Sequence, residues 1–154
     1  MKNNKNIKKR WILAILWMVF IFVMSQVPGE KSSEQSKLVI YAFSFLGIDL
    51  NSIWGDLATY IVRKGAHFTE YFILHILIYR VLIIYYSRSK AILLGILSVF
   101  LYACSDEFHQ WFVDGRVAAF KDVLIDTAGG IFSSIVTMCI YKLKNKRSKI
   151  DVLS

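Results

Sequence analysis

Four apolar stretches, at about 11–26, 66–86, 91–112 and 122–141, each approach the roughly 20 residues that a helix needs to cross a bilayer. A chain of 154 residues with four such stretches has little left to build anything except a helical membrane domain. The composition agrees, with 56% hydrophobic residues and a single proline, and a mean hydropathy of +0.48. The first stretch follows a basic segment, as a signal peptide would. No small-x-small cleavage site follows it, and Ser25-Gln26-Val27-Pro28 is a poor substitute, so it reads as a retained helix.

The formal net charge of +8 is localised. Lys2, Lys5, Lys8, Lys9 and Arg10 precede the first span, and Lys142, Lys144, Lys146, Arg147 and Lys149 follow the last. Tails 1–10 and 142–154, with the Ser87-Arg88-Ser89-Lys90 turn, therefore belong on the cytoplasmic side. The expectation is an all-α integral membrane protein, one domain over 1–154, with four spans and both termini cytoplasmic. No basic face with interleaved aromatics appears, which argues against nucleic acid as a partner. Membrane lipid is the expected partner, and the oligomeric state is left open. Cys104 and Cys139 fall toward opposite membrane faces, too far apart to bridge, and read as buried free thiols.

The 27–62 segment is too long for a plain connector. Pro28-Gly29 breaks the first helix, and Ser32-Ser33-Glu34-Gln35 offers a capping box before an amphipathic helix that Gly47 would close. A second short helix is expected near Ser52, running into Arg63. Leu38, Tyr41, Phe45 and Trp54 suit helices lying in the headgroup region on the extracytoplasmic side.

Each of the later spans carries ionisable residues at its outer end. Arg63, Lys64, His67, Glu70 and Tyr71 open the second, with Arg63, His67, Glu70 and Tyr71 on one helical face. Asp106, Glu107, His109 and Gln110 close the third, where Asp106, His109 and Gln110 share a face and Glu107 points about 100° away. Asp122, Asp126, Gly129 and Ser133 form a stripe on the fourth, and Arg116 lies in the preceding loop. A charge at the bilayer centre costs about 2.5–3.5 kcal/mol, so several in one small protein should face each other or trapped water. Three helices thus deliver polar faces to one depth, as the walls of a single extracytoplasmic pocket. Plainer roles stand beside this one. Asp122 suits a helix N-terminus, Trp54, Tyr60, Trp111 and Phe112 suit the interface, and Arg80 can snorkel. His75 suits a helix–helix hydrogen bond, Gly129 and Ser133 a packing face, and the charged set itself a structural ion network.

These residues resemble the VanZ-like family. The likeness rests on Arg63-Lys64-x-Ala66-His67-Phe68-x-Glu70-Tyr71, on Asp106-Glu107-x-x-Gln110-x-Phe112, on Gly115-Arg116, and on Asp122 with Asp126-x-x-Gly129; Ser25-Gln26 also fits. The resemblance implies a small multi-pass protein of the bacterial cell membrane, associated with resistance to teicoplanin and related lipid-tailed glycopeptides. Asp126 stands where many relatives have Asn, and Val117 to Lys121 is bulkier and more basic than is usual after Gly-Arg.

Three functional classes follow. In the first, the pocket holds an amphiphile without chemistry, such as a lipoglycopeptide or a lipid-linked cell-wall precursor, with Arg63 and Arg116 gripping a carboxylate or phosphate. In the second, His67, Glu70 and Asp106 are catalytic acid–base groups acting on an envelope lipid. The same residues could hold a divalent metal between helices. Yet His67-x-x-Glu70 is not the zinc-protease motif and Asp106-x-x-His109 only loosely matches di-metal spacing, so no metal or cofactor is expected. The third class, an ion conductor, is disfavoured because the helices look dry below Ser133 and His75.

Overall fold

Pro28, the turns after Phe45, Trp54 and Leu82, and the loop after Gln110 divide the chain into its helices. The computed structural model describes the backbone of residues 4–153 and the side chains of 6–146. Lys2, Lys5, Arg147 and Lys149 of the basic tails lie outside the described side chains. The elements are α1 (Asn4–Ser25), α2 (Gly29–Phe45), α3 (Leu50–Trp54), a single 3-10 turn (Gly55–Leu57), α4 (Ala58–Leu82), α5 (Arg88–Gln110) and α6 (Phe120–Leu153). No strand occurs among the described residues.

Pro28 has no N–H to continue α1, and it disfavours helical backbone at Val27. The chain therefore turns, and α2 leaves α1 at 108°. Gly29 then packs directly on the loop before α6. Its N–H donates to the Asp114 carbonyl at 3.1 Å, and a Cβ there would run into the Gly115 carbonyl. The expected capping box is not used. The helix begins earlier, at Gly29, with no side-chain cap, and Ser32 and Ser36 are instead buried. Gly47 closes α2 as expected, at φ 86°, its N–H reaching Ser44 O at 3.0 Å while Ile48 N reaches Phe43 O at 3.0 Å.

The short helix starts at Leu50 rather than Ser52, because Asp49 Oδ1 caps it, accepting from the N–H groups of Asn51 and Ser52 at 3.0 and 3.2 Å. The second span also differs from its expected bounds. Its helix starts at Ala58 and stops at Leu82, and the apolar residues up to Tyr86 form turns.

The central helix is α4, which touches α1, α2, α3, α5 and α6. On α5 the buried face runs Ala91, Gly95, Val99, Ala103, one turn apart, while Leu93, Leu97 and Leu101 face outward. This is the reverse of a water-soluble bundle: small residues let the helices approach and the large apolar ones look out. The same inversion marks α2, which buries Ser32 and Ser36 and leaves Tyr41 71% and Phe45 86% exposed. On α6, Gly129 sits against the Phe68 carbonyl of α4 and Gly130 against Val99 of α5, so adjacent glycines set close approaches to both helices.

Among the described residues, two helices, α5 and α6, are long and apolar enough to cross a membrane, or three spans if the bent α1–α2 pair counts as one. The other two expected spans are weakened by identifiable charges. Lys8, Lys9 and Arg10 sit in the first turns of α1, and Arg63, Lys64, Glu70 and Arg80 are spread along α4. Both cysteines are free, but neither is fully buried: Cys104 is half-buried and Cys139 exposed on the outer surface of α6.

Candidate functional site

Side-chain contacts fix which helix ends lie together. At one end of the bundle, an Arg10 guanidinium N–H donates to the Arg80 carbonyl at 2.6 Å, and the Arg88 guanidinium lies over the Tyr141 ring at 2.9 Å. At the other end meet the C-termini of α1 and α5 and the first turns of α4 and α6. There Ser25 Oγ donates to Asp106 Oδ2 at 2.8 Å, and Gln110 Nε2 to the same oxygen at 3.2 Å. Lys64 pairs with Asp122 at 2.5 Å across α4 and α6. Glu107 Oε2 accepts from the Ala119 N–H at 2.8 Å, and Arg116 Nε donates to the Val27 carbonyl at 3.0 Å, tying the loop before α6 to both α5 and the Pro28 turn.

Nearly every residue singled out in the sequence therefore gathers at this second end. His67 Nδ1 lies 3.6 Å from Glu70 Oε2, a loose ion-pair distance one turn apart on α4. Tyr71 is wholly buried behind them, and Asp126 is 1% exposed on the facing turn of α6. One expected orientation is corrected. On α5 it is Asp106, Glu107 and Gln110 that are buried; the His109 ring instead turns to α1 and packs on Phe22 with centroids 4.8 Å apart. Glu107 is drawn in by the unpaired Ala119 N–H at the start of α6, a loop donor that helical periodicity does not reveal. Ser25, which is not among the site residues expected from the sequence, completes the Asp106 hydrogen bonds. Its one sequence signal is a hydroxyl at the last turn of an otherwise apolar helix.

Two cavities open beside this cluster. The smaller, about 190 Å³, is lined by Ser32, Gln35 and Ser36 of α2 and by Arg63, His67 and Glu70 of α4. The larger, about 650 Å³, is lined by Trp17, Phe20, Phe43, Trp54, Ile61 and Ile73 among others. Val39, Val62, Ala66 and Glu70 border both, so the polar cavity and the apolar groove adjoin. Arg63 Nε is buried with no protein partner. In the loop, burial and then the Arg63 charge push the Arg116 guanidinium below its ordinary value, against the pull of Asp106, Glu107 and Asp122. Of the two guanidiniums, Arg63 lines the polar cavity, where its positive charge favours an anionic group.

The family model described as VanZ/LLP1 matches residues 10–142, most of the chain and all of the site. The chain belongs to the VanZ/LLP1 family. No curated protein and no solved structure matches it. Family membership agrees with the inverted packing and the apolar helices: this is a VanZ-like envelope protein, membrane-embedded and in contact with lipid.

Deeper in this VanZ/LLP1 bundle the polar residues serve packing. His75 bridges two serines of α6, with Nδ1 3.0 Å from Ser133 Oγ and Nε2 3.0 Å from Ser134 Oγ. That is the helix–helix role the sequence allowed it.

Proposed function

We propose that this VanZ/LLP1 chain crosses the bacterial cell membrane four times and binds an amphiphile at the outer leaflet. In doing so it reduces susceptibility to teicoplanin-type lipoglycopeptides. The observation that carries this reading is the shared wall of the two cavities. A polar compartment with Arg63, His67 and Glu70 opens beside an apolar groove of a size that suits an acyl tail. An anionic or sugar-peptide head would occupy the first, with Arg63 and Arg116 as its cationic partners, and the tail would lie against Trp17, Phe20 and Phe43. The 108° bend supports the same placement, since it lays α2 across the bundle end with Leu38, Tyr41 and Phe45 turned outward, as an interfacial helix would lie.

The test uses a susceptible Gram-positive host expressing the chain, with membrane levels matched among variants. Wild type is expected to protect against teicoplanin and not against vancomycin, which lacks the tail. Gly65→Leu, which fills the groove, and Arg63→Gln, which removes a cationic partner, are expected to abolish most of that difference. Glu70→Gln, which keeps the cavity shape, is expected to lower protection only partly. Absence of protection by well-expressed wild type, or equal protection against both drugs, would sink the reading.

A further inference from the structure

Behind the polar cavity lies a cluster that amphiphile binding leaves unused. His67 of α4, Asp106 of α5 and Asp126 of α6 each offer one ligand atom, and these atoms lie within 4.8 Å of one another. Asp106 and Asp126 are 3% and 1% exposed. Ser25 and Gln110 occupy Asp106 Oδ2, so that Oδ1 remains, and Asp106 Oδ1, Asp126 Oδ1 and His67 Nδ1 are all buried without a protein hydrogen-bond partner. A fourth group, separate from these three, points the same way. The Tyr71 hydroxyl is wholly buried and lies beside both carboxylates, near enough to Asp106 to interact with it but without a well-formed hydrogen bond.

Buried carboxylate oxygens left without donors or counter-charge are strongly unfavourable. Lys64 is paired with Asp122, the Arg116 Nε–H bonds the Val27 carbonyl and Arg63 lines the polar cavity, and among the described residues no lysine or arginine forms an ion pair with Asp106 or Asp126. A divalent ion would cancel the two carboxylate charges outright. Its ligands would lie at most about 4.4 Å apart, since each sits about 2.0–2.2 Å from the ion. Closing the present arrangement onto it takes only small side-chain rotations. One imidazole with two carboxylates suits Zn²⁺ or Mn²⁺ better than Mg²⁺ or Ca²⁺.

We propose that His67, Asp106 and Asp126 form a divalent-cation site for an ion of the Zn²⁺ or Mn²⁺ kind, with the Tyr71 hydroxyl beside it. Because His67 also lines the polar cavity, the ion sits at that cavity's floor, where an open position would meet an anionic group entering from outside. Such a site departs from the expectation of no metal. A motif spaced along one helix was absent, and the ligands come from three helices.

The full chain, purified in detergent and stripped with chelator, is titrated with Zn²⁺ and with Mn²⁺ by calorimetry. One ion per chain is expected to bind, and both Asp126→Asn and His67→Ala are expected to weaken it by more than about 100-fold. The exposed Asp56→Asn is expected to change nothing. Pulsed electron paramagnetic resonance of the Mn²⁺ form is expected to show coupling to an imidazole nitrogen, absent in His67→Ala. Metal-free Asp126→Asn is expected to unfold at or above the wild-type temperature, because it loses a repelling charge, so its failure to bind is not failure to fold. No bound ion in wild type, binding undisturbed in Asp126→Asn, or a Mn²⁺ signal without imidazole coupling overturns the proposal. None of these readouts involves drug or lipid, so the metal site and the amphiphile reading fail separately.

Discussion

At the scale of single residues, the polar groups of this bundle divide by depth. His75 is saturated: both ring nitrogens meet serine hydroxyls, and the ring fills the space over Gly95, where a Cβ would approach Nε2 to 2.9 Å. His75→Ala leaves a hole and one orphaned hydroxyl, Ser133, whereas Ser134 keeps its bond to the Gly130 carbonyl. The expected loss is about 1–3 kcal/mol, since interhelical hydrogen bonds in membranes are individually modest and the cavity adds to them. Thermal unfolding in detergent reads it, and teicoplanin protection at matched expression should be unchanged. Loss of protection with stability intact would place His75 in the site instead. Residue types foretold this division well, because a buried histidine on a membrane helix needs a partner and α6 offered serines. They could not foretell which side of α5 the loop before α6 would approach, and that contact, Glu107 with the Ala119 N–H, reversed the expected roles of Glu107 and His109.

At the scale of elements, the glycines of α4 and α6 carry opposite expectations. A Cβ on Gly129 would collide with the Phe68 carbonyl and come within 3.2 Å of the Phe72 nitrogen, both backbone atoms that cannot swing aside. Gly129→Ala therefore forces α4 and α6 apart and is expected to cost about 1–3 kcal/mol. Gly65 lies inside α4 with nothing within 4 Å of a Cβ, so Gly65→Ala is expected to gain up to about 1 kcal/mol from helix propensity alone. Unfolding of the two variants side by side checks the pair, and equal signs would mean that the α4–α6 approach is not set at Gly129. The helices themselves were legible from apolar length, Pro28 and Gly47. Their ends were less so: Asp49 captured the start of α3, and α4 drew in the polar residues before its apolar run, because hydrogen bonding within a helix ignores side-chain polarity while a hydropathy pattern does not.

For the whole molecule, the disposition of helix ends is what the proposed topology of four crossings needs. Ser25, Gln110, Lys64 and Asp122 meet at one end, and Arg10, Arg80, Arg88 and Tyr141 lie at the other. Helices α1, α4, α5 and α6 therefore alternate in direction, which is what four crossings require, although charge makes α1 and α4 poor spans taken alone. Arg10, Arg80 and Arg88 lie at the end that the positive-inside rule would assign to the cytoplasm, whereas Arg63 and Arg116 lie at the opposite end with Pro28, α2 and the Asp114 loop. Single cysteines placed in a Cys104→Ser, Cys139→Ser background test this in intact cells with a membrane-impermeant maleimide. Lys31→Cys on α2 and Asp114→Cys in the loop before α6 are expected to label from outside. Lys90→Cys and Lys146→Cys are expected to label only after the membrane is opened. If instead Lys90→Cys and Lys146→Cys label from outside while Lys31→Cys and Asp114→Cys label only after opening, the bundle is inverted and the polar cavity beneath α2 faces the cytoplasm. That outcome would remove the outer-leaflet amphiphile while leaving the His67–Asp106–Asp126 cluster untouched, because its geometry depends on helix packing and not on which side of the membrane the end faces.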